Sequence, residues 1–282
     1  MMSMTTLSES PDYRAINHAN WESRVPVHAA SDEYRLDRYI AEPGLLSEIV
    51  EFDRERLGDV TGLDVVHLQC HLGNDSLSLA RLGATVTGLD FSASALVHAR
   101  RVSAEGGPHV EYVEADVYDA PDVLGTHRFD LVYTGIGALC WLPSVTRWAE
   151  TVVRLLRPGG ELFIREGHPV LWALDDPRPD ELVVLAFPYF ETDGVHFSET
   201  ETYTEQVGPI AAPDIVAFNH GLAEIFNALW SAGMDVTLFE EHATVPWNPL
   251  GPAMERIGGG EFRLRERAER LPCTYTLRAR LR

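Results

Sequence analysis

The stretch LDVVHLQCHLGNDSLSLARLGATVTGLDFS, residues 63–92, decides the fold class of this chain. A short apolar run at 65–68 leads into a loop that contains Gly73, and a helix-length segment then ends at Gly83. A second apolar run follows and ends at Asp90. This order of strand, loop, helix, strand and acid is typical of an open parallel sheet that binds ligands at the carboxyl ends of its strands. An acid at the second strand end accepts hydrogen bonds from ribose hydroxyls, so we predict an adenosine-containing cofactor.

The composition limits the class of protein. The chain has 282 residues and a formal net charge of -20, which repels nucleic acid phosphates and anionic membrane surfaces. We therefore expect neither nucleic acid nor membrane as a partner, and no apolar run reaches the roughly 20 residues that span a bilayer. The N-terminal sequence lacks the pattern of a signal peptide. The three cysteines are odd in number and far apart, so we expect reduced thiols and a cytoplasmic protein.

All 23 basic residues are arginine, because the chain contains no lysine. A Schiff base with pyridoxal phosphate requires a lysine amine. A Walker-type phosphate loop requires a lysine as well. The sequence therefore excludes two large classes of enzyme.

The alternation of apolar runs and helical patterns predicts an α/β fold with a doubly wound, mostly parallel, Rossmann-like sheet of seven strands. The last strand alternates apolar and polar residues, which favours an antiparallel strand. Residues 1–40 are interpreted as an N-terminal lid or arm, and residues 41–282 as the main domain. The proline-rich segment 167–218 interrupts the pattern and is interpreted as an inserted substrate cap, with a hairpin between the runs 189–191 and 197–203. The predicted strands are 64–70, 85–90, 110–115, 129–134, 160–166, 234–240 and 272–281, and the clearest predicted helix is 144–157.

The loop at 69–74 bears on the identity of the cofactor. A dinucleotide needs the pattern G-x-G-x-x-G, because glycines let the backbone approach a pyrophosphate. Here the loop reads QCHLGN and has one glycine. A cofactor without phosphates does not need that close approach, so the loop favours a cofactor of this kind.

At these residues the chain resembles the class I S-adenosylmethionine-dependent methyltransferases. Their first motif, V-L-D-L-G-C-G-x-G, corresponds here to VVHLQCHLG at 65–73, in which Cys70 and Gly73 match and His67 replaces the usual acid. The variant H-L-Q-C-H-x-G resembles one subgroup that acts on small molecules. The segments NHANWESRVPVH at 17–28 and LPCTYTLRA at 271–279 are similar to that subgroup as well.

The resemblance implies a set of contacts with S-adenosyl-L-methionine. The loop after the first strand lines the methionine part, Asp90 holds the ribose hydroxyls, and Phe91 packs on the adenine. The segment after the third strand meets the adenine edge, and a carbonyl after the fourth strand accepts the methionine amine. Because His67 replaces the acid, Gln69 or a group of the arm is expected to substitute for it. The full set of implied cofactor residues is Gln69, Cys70, His71, Gly73, Asp90, Phe91, Ala115, Asp116, Val117, Thr134 and Gly135.

The acceptor side is predicted from position and chemistry. A hydroxyl acceptor needs a base, whereas an amine that arrives neutral does not. His168 directly follows the fifth strand and His220 opens a helix, so these two are the candidate catalytic residues. The predicted acceptor walls come from the arm, the cap and the loop after the fourth strand, and comprise Trp21, Tyr34, Trp141, Trp172, Tyr189 and His196. No metal-ligand spacing stands out.

These observations predict an enzyme that transfers a methyl group from S-adenosylmethionine to an oxygen or nitrogen of a small molecule, natural products included. Two other functions stay open. One is a protein that binds this cofactor without catalysis, and the other is a dehydrogenase with an atypical nucleotide loop. The acceptor and the oligomeric state do not follow from the sequence.

Overall fold

The computed structural model describes residues 12–190, 193–204 and 209–282 of the chain. The helices of these ranges are α1 (Tyr13–Ala30), α2 (Leu36–Ala41), α3 (Glu48–Leu57), α4 (Asn74–Arg81), α5 (Ala93–Gly106), α6 (Ala120–Leu124), α7 (Val145–Leu155), α8 (Pro169–Trp172) and α9 (Leu222–Ser231). The strands are β1 (Asp64–Leu68), β2 (Thr85–Asp90), β3 (Glu111–Glu114), β4 (Phe129–Thr134), β5 (Leu156–Gly167), β6 (Val195–Ser198), β7 (Asp214–Ala217), β8 (Met234–His242), β9 (Met254–Arg256), β10 (Phe262–Leu264) and β11 (Thr274–Leu281).

Seven strands form one sheet in the order β3-β2-β1-β4-β5-β11-β8. Neighbours among β1 to β5 are parallel, whereas β11 is antiparallel to both β5 and β8. This confirms the predicted seven-stranded, mostly parallel sheet with an antiparallel C-terminal strand. The strand order changes direction between β1 and β4, and an open α/β sheet binds its ligand outside the carboxyl ends at such a point.

Apolar side chains cover both faces of the sheet. On one face, Val66 and Leu68 of β1 pack with Trp148 of α7 and with α9. On the other face, Val65 packs with Tyr133 and with residues of α3, α4 and α5. The predicted helix at 144–157 is α7, and its Ser144 cap accepts the backbone N–H of Arg147. None of the helices in the described part of the chain has the length and apolar character that a membrane span requires.

The N-terminal arm contains one long helix that lies against the cap. Residues 1–11 of the predicted arm lie outside the described residues, and Asp12 caps α1. The side-chain amide of Asn17 donates to the Val216 carbonyl at 2.9 Å and accepts the Val216 N–H at 2.8 Å. Asn20 donates to the Ala212 carbonyl at 2.7 Å. These bonds attach α1 to β7 of the cap.

The cap contains a hairpin, but its strands differ from the expected pair. β6 pairs antiparallel with β7, so the partner of the run at 197–203 comes from 214–217 and not from 189–191. Residues 191–192 and 205–208 of the predicted cap lie outside the described residues. The expectation failed because it assumed a short connection, while the connection between β6 and β7 spans residues 199–213.

Candidate cofactor and acceptor site

The loop between β1 and α4 has a backbone that is unusual for its residue types. Gln69 and His71 have φ values of 56° and 48°, and Gly73 has 80°. Left-handed backbone costs about 1–3 kcal/mol at a residue with a side chain and is often found at functional sites. Gly73 is also required for space, since a Cβ atom there would lie 2.5 Å from the Tyr112 hydroxyl. The loop therefore keeps the left-handed backbone that is usual for glycine, although Gln69 and His71 carry side chains.

The backbone N–H groups of this loop are used inside the protein. Cys70 N–H donates to the Leu89 carbonyl at 3.0 Å, and Gly73 N–H donates to the Cys70 carbonyl at 2.9 Å. His71 N–H donates to the Asp90 carboxylate at 2.8 Å. A pyrophosphate needs several free N–H groups that point at it. These three donors are not available for that purpose.

Asp90 ends β2 as predicted, and its carboxylate joins the loop to the next helix. One oxygen accepts from His71 N–H, and the other accepts the N–H of Ser92, the cap of α5, at 2.9 Å. Burial raises the pKa of Asp90 to about 6, although these backbone donors oppose the shift. Each carboxylate oxygen accepts more than one hydrogen bond, so capacity for ribose hydroxyls remains.

A cavity of about 370 Å³ lies between the arm and the ends of β2 and β3. Phe91, Ala115 and Asp116 form its sheet side, and Arg14 and His18 of α1 face them. The His18 ring meets the Phe91 ring edge to face at 5.2 Å. This volume falls within the range of small-molecule pockets.

Two of the residues expected at the adenine edge have other partners. Arg14 Nε lies 2.9 Å from the Asp116 carboxylate, which also accepts the Tyr118 N–H at 2.9 Å. An adenine amine at Asp116 would therefore share the carboxylate with these two donors. The Val117 side chain is packed in the hydrophobic core, so it does not line the cavity. Val117 was predicted from its position in the sequence, which does not give the direction of its side chain.

The loop after β4 is held by Glu166. This residue is 2% exposed, and its carboxylate accepts the N–H groups of Gly137, Ala138, Leu139 and Gly167 at 2.7–2.9 Å. The side chain of Gln69 donates to the Ala138 carbonyl at 3.0 Å, which joins this loop to the loop after β1. Thr134 and Gly135 lie at the start of the same loop, and the Thr134 side chain is fully buried. Cys70 is also buried, and this burial raises the pKa of its thiol.

Three of the predicted acceptor residues gather beside the loop after β1. Trp21 meets the rings of His71 at 5.0 Å and Trp141 at 5.2 Å, and Tyr34 meets His71 at 5.3 Å. We call this group, with two further rings in contact with it, the aromatic cluster: Trp21, His28, Tyr34, His71, Trp141 and Tyr203. The cluster joins the arm, the cap and both loops at the carboxyl edge of the sheet.

The aromatic cluster contains a pair of histidines. His28 Nδ1 lies 2.9 Å from His71 Nε2, and His28 Nε2 lies 2.7 Å from the Thr202 hydroxyl. Burial lowers the pKa of His28 to about 2 and that of His71 to about 3. Both rings are therefore neutral at physiological pH, and one of them donates to the other.

The other predicted acceptor residues lie away from the cluster. Trp172 stacks on Trp247 at 5.6 Å, and Tyr189 contacts the start of α9, where its hydroxyl accepts the Leu222 N–H at 3.4 Å. His196 lies on β6, opposite Val216. These three belong to the packing of the cap and not to the group around His71.

Both predicted catalytic histidines have protein partners on each ring nitrogen. His168 Nδ1 accepts the Val170 N–H at 3.1 Å, so Nε2 carries the proton and donates to Glu241 at 3.0 Å. Burial lowers the pKa of His168, and Glu241 opposes that shift. His220 Nε2 donates to the Leu142 carbonyl at 2.7 Å, and its Nδ1 lies 3.2 Å from Glu224. Both rings were chosen as candidate bases from their positions, His168 after a strand and His220 before a helix. A histidine that caps a helix or bonds to nearby loops occupies the same positions, so this geometry no longer favours either ring as the base.

Sequence reasoning did not single out several residues of this region. His28 was inside a quoted arm segment, but its partner His71 is 43 positions away. The sequence shows Glu166 only as an acid at the end of a strand. This position does not indicate the four backbone donors around its carboxylate. Asp75 opens α4 directly after the loop, and an acid in the first turn of a helix was a usable signal. Within the described residues, no group of three or more metal-binding side chains converges.

Comparisons with known proteins agree with this arrangement. A family profile described as "Methyltransferase domain" matches residues 66–162. Methyltransferase phqN of Penicillium fellutanum is 26% identical over 212 residues, which cover 72% of this chain and 57% of that protein. A ubiquinone biosynthesis O-methyltransferase of Klebsiella pneumoniae is 36% identical over 109 residues, which cover 39% of this chain and 44% of that protein. The chain thus spans about half the length of the curated relatives it matches.

Solved structures share the fold at low sequence identity. An S-adenosylmethionine-dependent methyltransferase from Mesorhizobium loti has a TM-score of 0.59 and 23% identity, over 83% of this chain and 98% of that one. A glycopeptide N-methyltransferase complexed with S-adenosyl-L-methionine has a TM-score of 0.51 and 19% identity, over 83% of this chain and 93% of that one. Residues 66–162 are therefore a methyltransferase domain on a Rossmann-like sheet. At the level of this domain, the predictions of a methyltransferase and of S-adenosylmethionine as its cofactor are confirmed.

Proposed function

We propose that this protein transfers a methyl group from S-adenosylmethionine to an oxygen or nitrogen atom of a small molecule. The observation that carries the proposal is the loop after β1, whose N–H groups bond to the protein itself and in one case to Asp90. The loop thus lacks free N–H groups for a phosphate. Asp90, the acid proposed for the ribose, lies beside it. This combination suits an adenosine cofactor without phosphates and disfavours the dehydrogenase alternative.

The residues present fit the chemistry of such a cofactor. Asp90 offers acceptor oxygens to ribose hydroxyls, and Phe91 and Ala115 offer apolar surface beside a cavity of about 370 Å³. Gln69 and Gly135, which directly follow β1 and β4, are the residues we assign to the methionine part. When bound, S-adenosylmethionine supplies a methyl group that the sulfonium has already activated. The protein then has to orient the acceptor and exclude water.

We infer that the aromatic cluster is the wall of the acceptor chamber. It combines side chains of the arm, the cap and the loop after β1, so an acceptor held there is enclosed on several sides. Arg24 lies over the rings of Trp21 and Trp141 and pairs with Glu199 of the cap at 2.9 Å. A chamber of this kind suits a small acceptor. It is the part of the site that supports the assignment to a small-molecule subgroup with the variant first motif.

The histidine pair in the cluster serves to hold the wall in place. His71 and His28 are neutral and bonded to each other, and His28 continues to Thr202. Because burial lowers the pKa of both rings far below physiological pH, we assign them to the shape of the chamber and not to proton removal. An amine acceptor that arrives neutral would need positioning alone. Residues 161–210 hold 11 acids and 2 arginines, so this segment attracts the protonated form of a basic amine on electrostatic grounds.

The names of the relatives keep both kinds of acceptor atom open, since one is an O-methyltransferase and another a glycopeptide N-methyltransferase. We test the proposal by incubating the purified protein with methyl-labelled S-adenosylmethionine and a panel of small phenols, carboxylic acids and amines. We expect label in an organic product and an equal amount of S-adenosylhomocysteine, and we expect Asp90→Asn to lower both. Tight cofactor binding without transfer to any panel member would favour the non-catalytic alternative.

A further inference from the structure

The carboxylate of Asp75 meets two other groups where β1 and β4 end. Asp75 lies in the first turn of α4, directly after the loop that follows β1. A Cβ atom placed on Gly135 would lie 3.5 Å from Asp75 Oδ2 and 3.4 Å from His67 Nε2. The carboxylate, the imidazole and the Gly135 backbone thus surround one point in the crevice, on the side away from the cavity at Phe91. Both distances are ordinary van der Waals contacts, so an atom fits beside the Gly135 Cα without a clash.

The neighbours of Asp75 do not neutralise its charge. His67 is buried, its Nδ1 lies 2.8 Å from the Ser76 hydroxyl, and burial lowers its pKa to about 3. His67 is therefore neutral at physiological pH. Among the ion pairs of residues 12–190, 193–204 and 209–282, none involves Asp75. Burial raises the pKa of Asp75, and Ser47 opposes that shift.

The other carboxylates at this edge of the sheet already have partners. Glu166 accepts four backbone N–H groups, and Asp90 accepts two. Asp116 pairs with Arg14. Asp75 is thus the carboxylate of this group that has neither a cation nor a backbone donor within hydrogen-bond distance. A carboxylate that is partly withdrawn from water in this way favours a cationic ligand.

We propose that Asp75 binds the α-ammonium group of the cofactor's methionine part, together with the Gly135 backbone. This inference rests on the proposed function. An ammonium group has three donors and no acceptor, and an ionised carboxylate has only acceptors. Gln69, which the sequence suggested for this role, uses its amide N–H on Ala138 and holds the loop after β4.

The test compares two ligands that differ only at the amino-acid end. S-adenosylhomocysteine carries the α-ammonium group, whereas 5′-methylthioadenosine has the adenosine and sulfur but no amino acid. Calorimetric titrations measure both ligands against the parent protein, Asp75→Asn and Asp90→Asn. Asp75→Asn should weaken S-adenosylhomocysteine about 10- to 100-fold and leave 5′-methylthioadenosine unchanged. Asp90→Asn is the matched control and should weaken both ligands.

The outcomes separate this inference from the proposed function. If the parent protein binds neither ligand, the proposed function is overturned and this inference with it. If both ligands bind but Asp75→Asn keeps or gains affinity for S-adenosylhomocysteine, or loses affinity for both alike, only the role of Asp75 is overturned. The melting temperature of ligand-free Asp75→Asn should equal or exceed that of the parent, since the variant removes a carboxylate held away from water. If Asp75→Asn does not fold, Asp75→Ser is titrated in its place, with the same expected selectivity.

Discussion

Asp90 connects the backbone of the protein to the proposed ribose site. Its two oxygens accept N–H groups from His71 and Ser92, and we propose that they also accept the ribose hydroxyls. Alanine at this position would leave two backbone donors without acceptors, so a loss of binding could come from the loop. Asparagine keeps the size and one acceptor oxygen, and it is the sharper substitution.

We expect Asp90→Asn to weaken 5′-methylthioadenosine by about 1.5–3 kcal/mol, because one charge-assisted acceptor is lost. Calorimetry measures the change in affinity, and the ligand avoids any contribution from Asp75. The fold should persist, as checked by the melting temperature. Equal affinity in parent and variant would remove Asp90 from the ribose site.

The affinity for 5′-methylthioadenosine should also depend on pH. Burial raises the pKa of Asp90 to about 6, and the charged form is the stronger acceptor, so affinity should rise between about pH 5 and pH 7. For stability the sign is opposite. The folded state holds this proton more tightly than the unfolded chain, so the contribution of Asp90 to the free energy of unfolding is full below about pH 4 and is lost as pH rises through 6. Asp90→Asn should show neither dependence, and a parent affinity that is flat from pH 5 to 7 would contradict the account.

His168 gives a prediction about stability and not about catalysis. Its Nδ1 caps α8 and its Nε2 bonds to Glu241. We expect His168→Ala to lower the free energy of unfolding by about 0.5–2 kcal/mol, the usual cost of losing a cap. Denaturant titration measures this, and the rate of methyl transfer at a temperature where the variant is folded should change little. A rate lower by about 100-fold, with a lost rise near pH 6–7, would restore His168 as the base.

Single residues show where sequence reasoning reaches its limit. Asp90 was predictable because a strand end followed by an acid fixes its place in the fold. The direction of Val117 and the partners of His168 depend on side chains far away in sequence, and no local pattern encodes them. Asp75 was overlooked because an acid that opens a helix also has an ordinary reason to be there, namely the helix dipole.

At the scale of elements, the helix α1 acts as a wall of the site. It contributes His18 to the cavity at Phe91 and Trp21 to the aromatic cluster, and it is fixed to the cap through Asn17 and Val216. The two Asn17 bonds copy the pattern of a neighbouring strand. They satisfy the edge of β7, which would otherwise keep an unpaired N–H and carbonyl.

We expect Asn17→Ala to loosen the arm, because the Val216 N–H and carbonyl lose their partners at about 1–3 kcal/mol for each unsatisfied group. Limited proteolysis should cut within α1 faster than in the parent, and cofactor affinity should fall. Asp32→Ala, at an exposed position just after α1, is the control. If the two variants show the same cleavage rate and affinity, α1 does not close the site.

The elements differ in how well the sequence predicted them. The strands β1 to β5 and the helix α7 have strong periodicity and short connections, so their places followed from local pattern. The hairpin of the cap did not, because β6 and β7 pair across the long connection 199–213 and β7 is also bonded to the arm. Strand pairing across a long connection depends on tertiary packing, which a period-two pattern does not specify.

At the scale of the whole molecule, three parts meet at one edge of the sheet. The sheet contributes the ends of β1, β2 and β4, the arm contributes α1, and the cap contributes β6, β7 and the residues around Tyr203. The cavity at Phe91, the carboxylate of Asp75 and the aromatic cluster lie along this edge. In the proposed function these three places hold the adenosine, the amino acid and the acceptor of a methyl transfer reaction.

The most direct test of this account is a calorimetric titration of the purified protein with S-adenosylhomocysteine and, in parallel, with NAD. The loop after β1 uses its N–H groups internally and Asp90 stands beside it, so we expect S-adenosylhomocysteine to bind in the micromolar range and NAD to give no heat of binding. Binding of NAD without binding of S-adenosylhomocysteine would contradict the account.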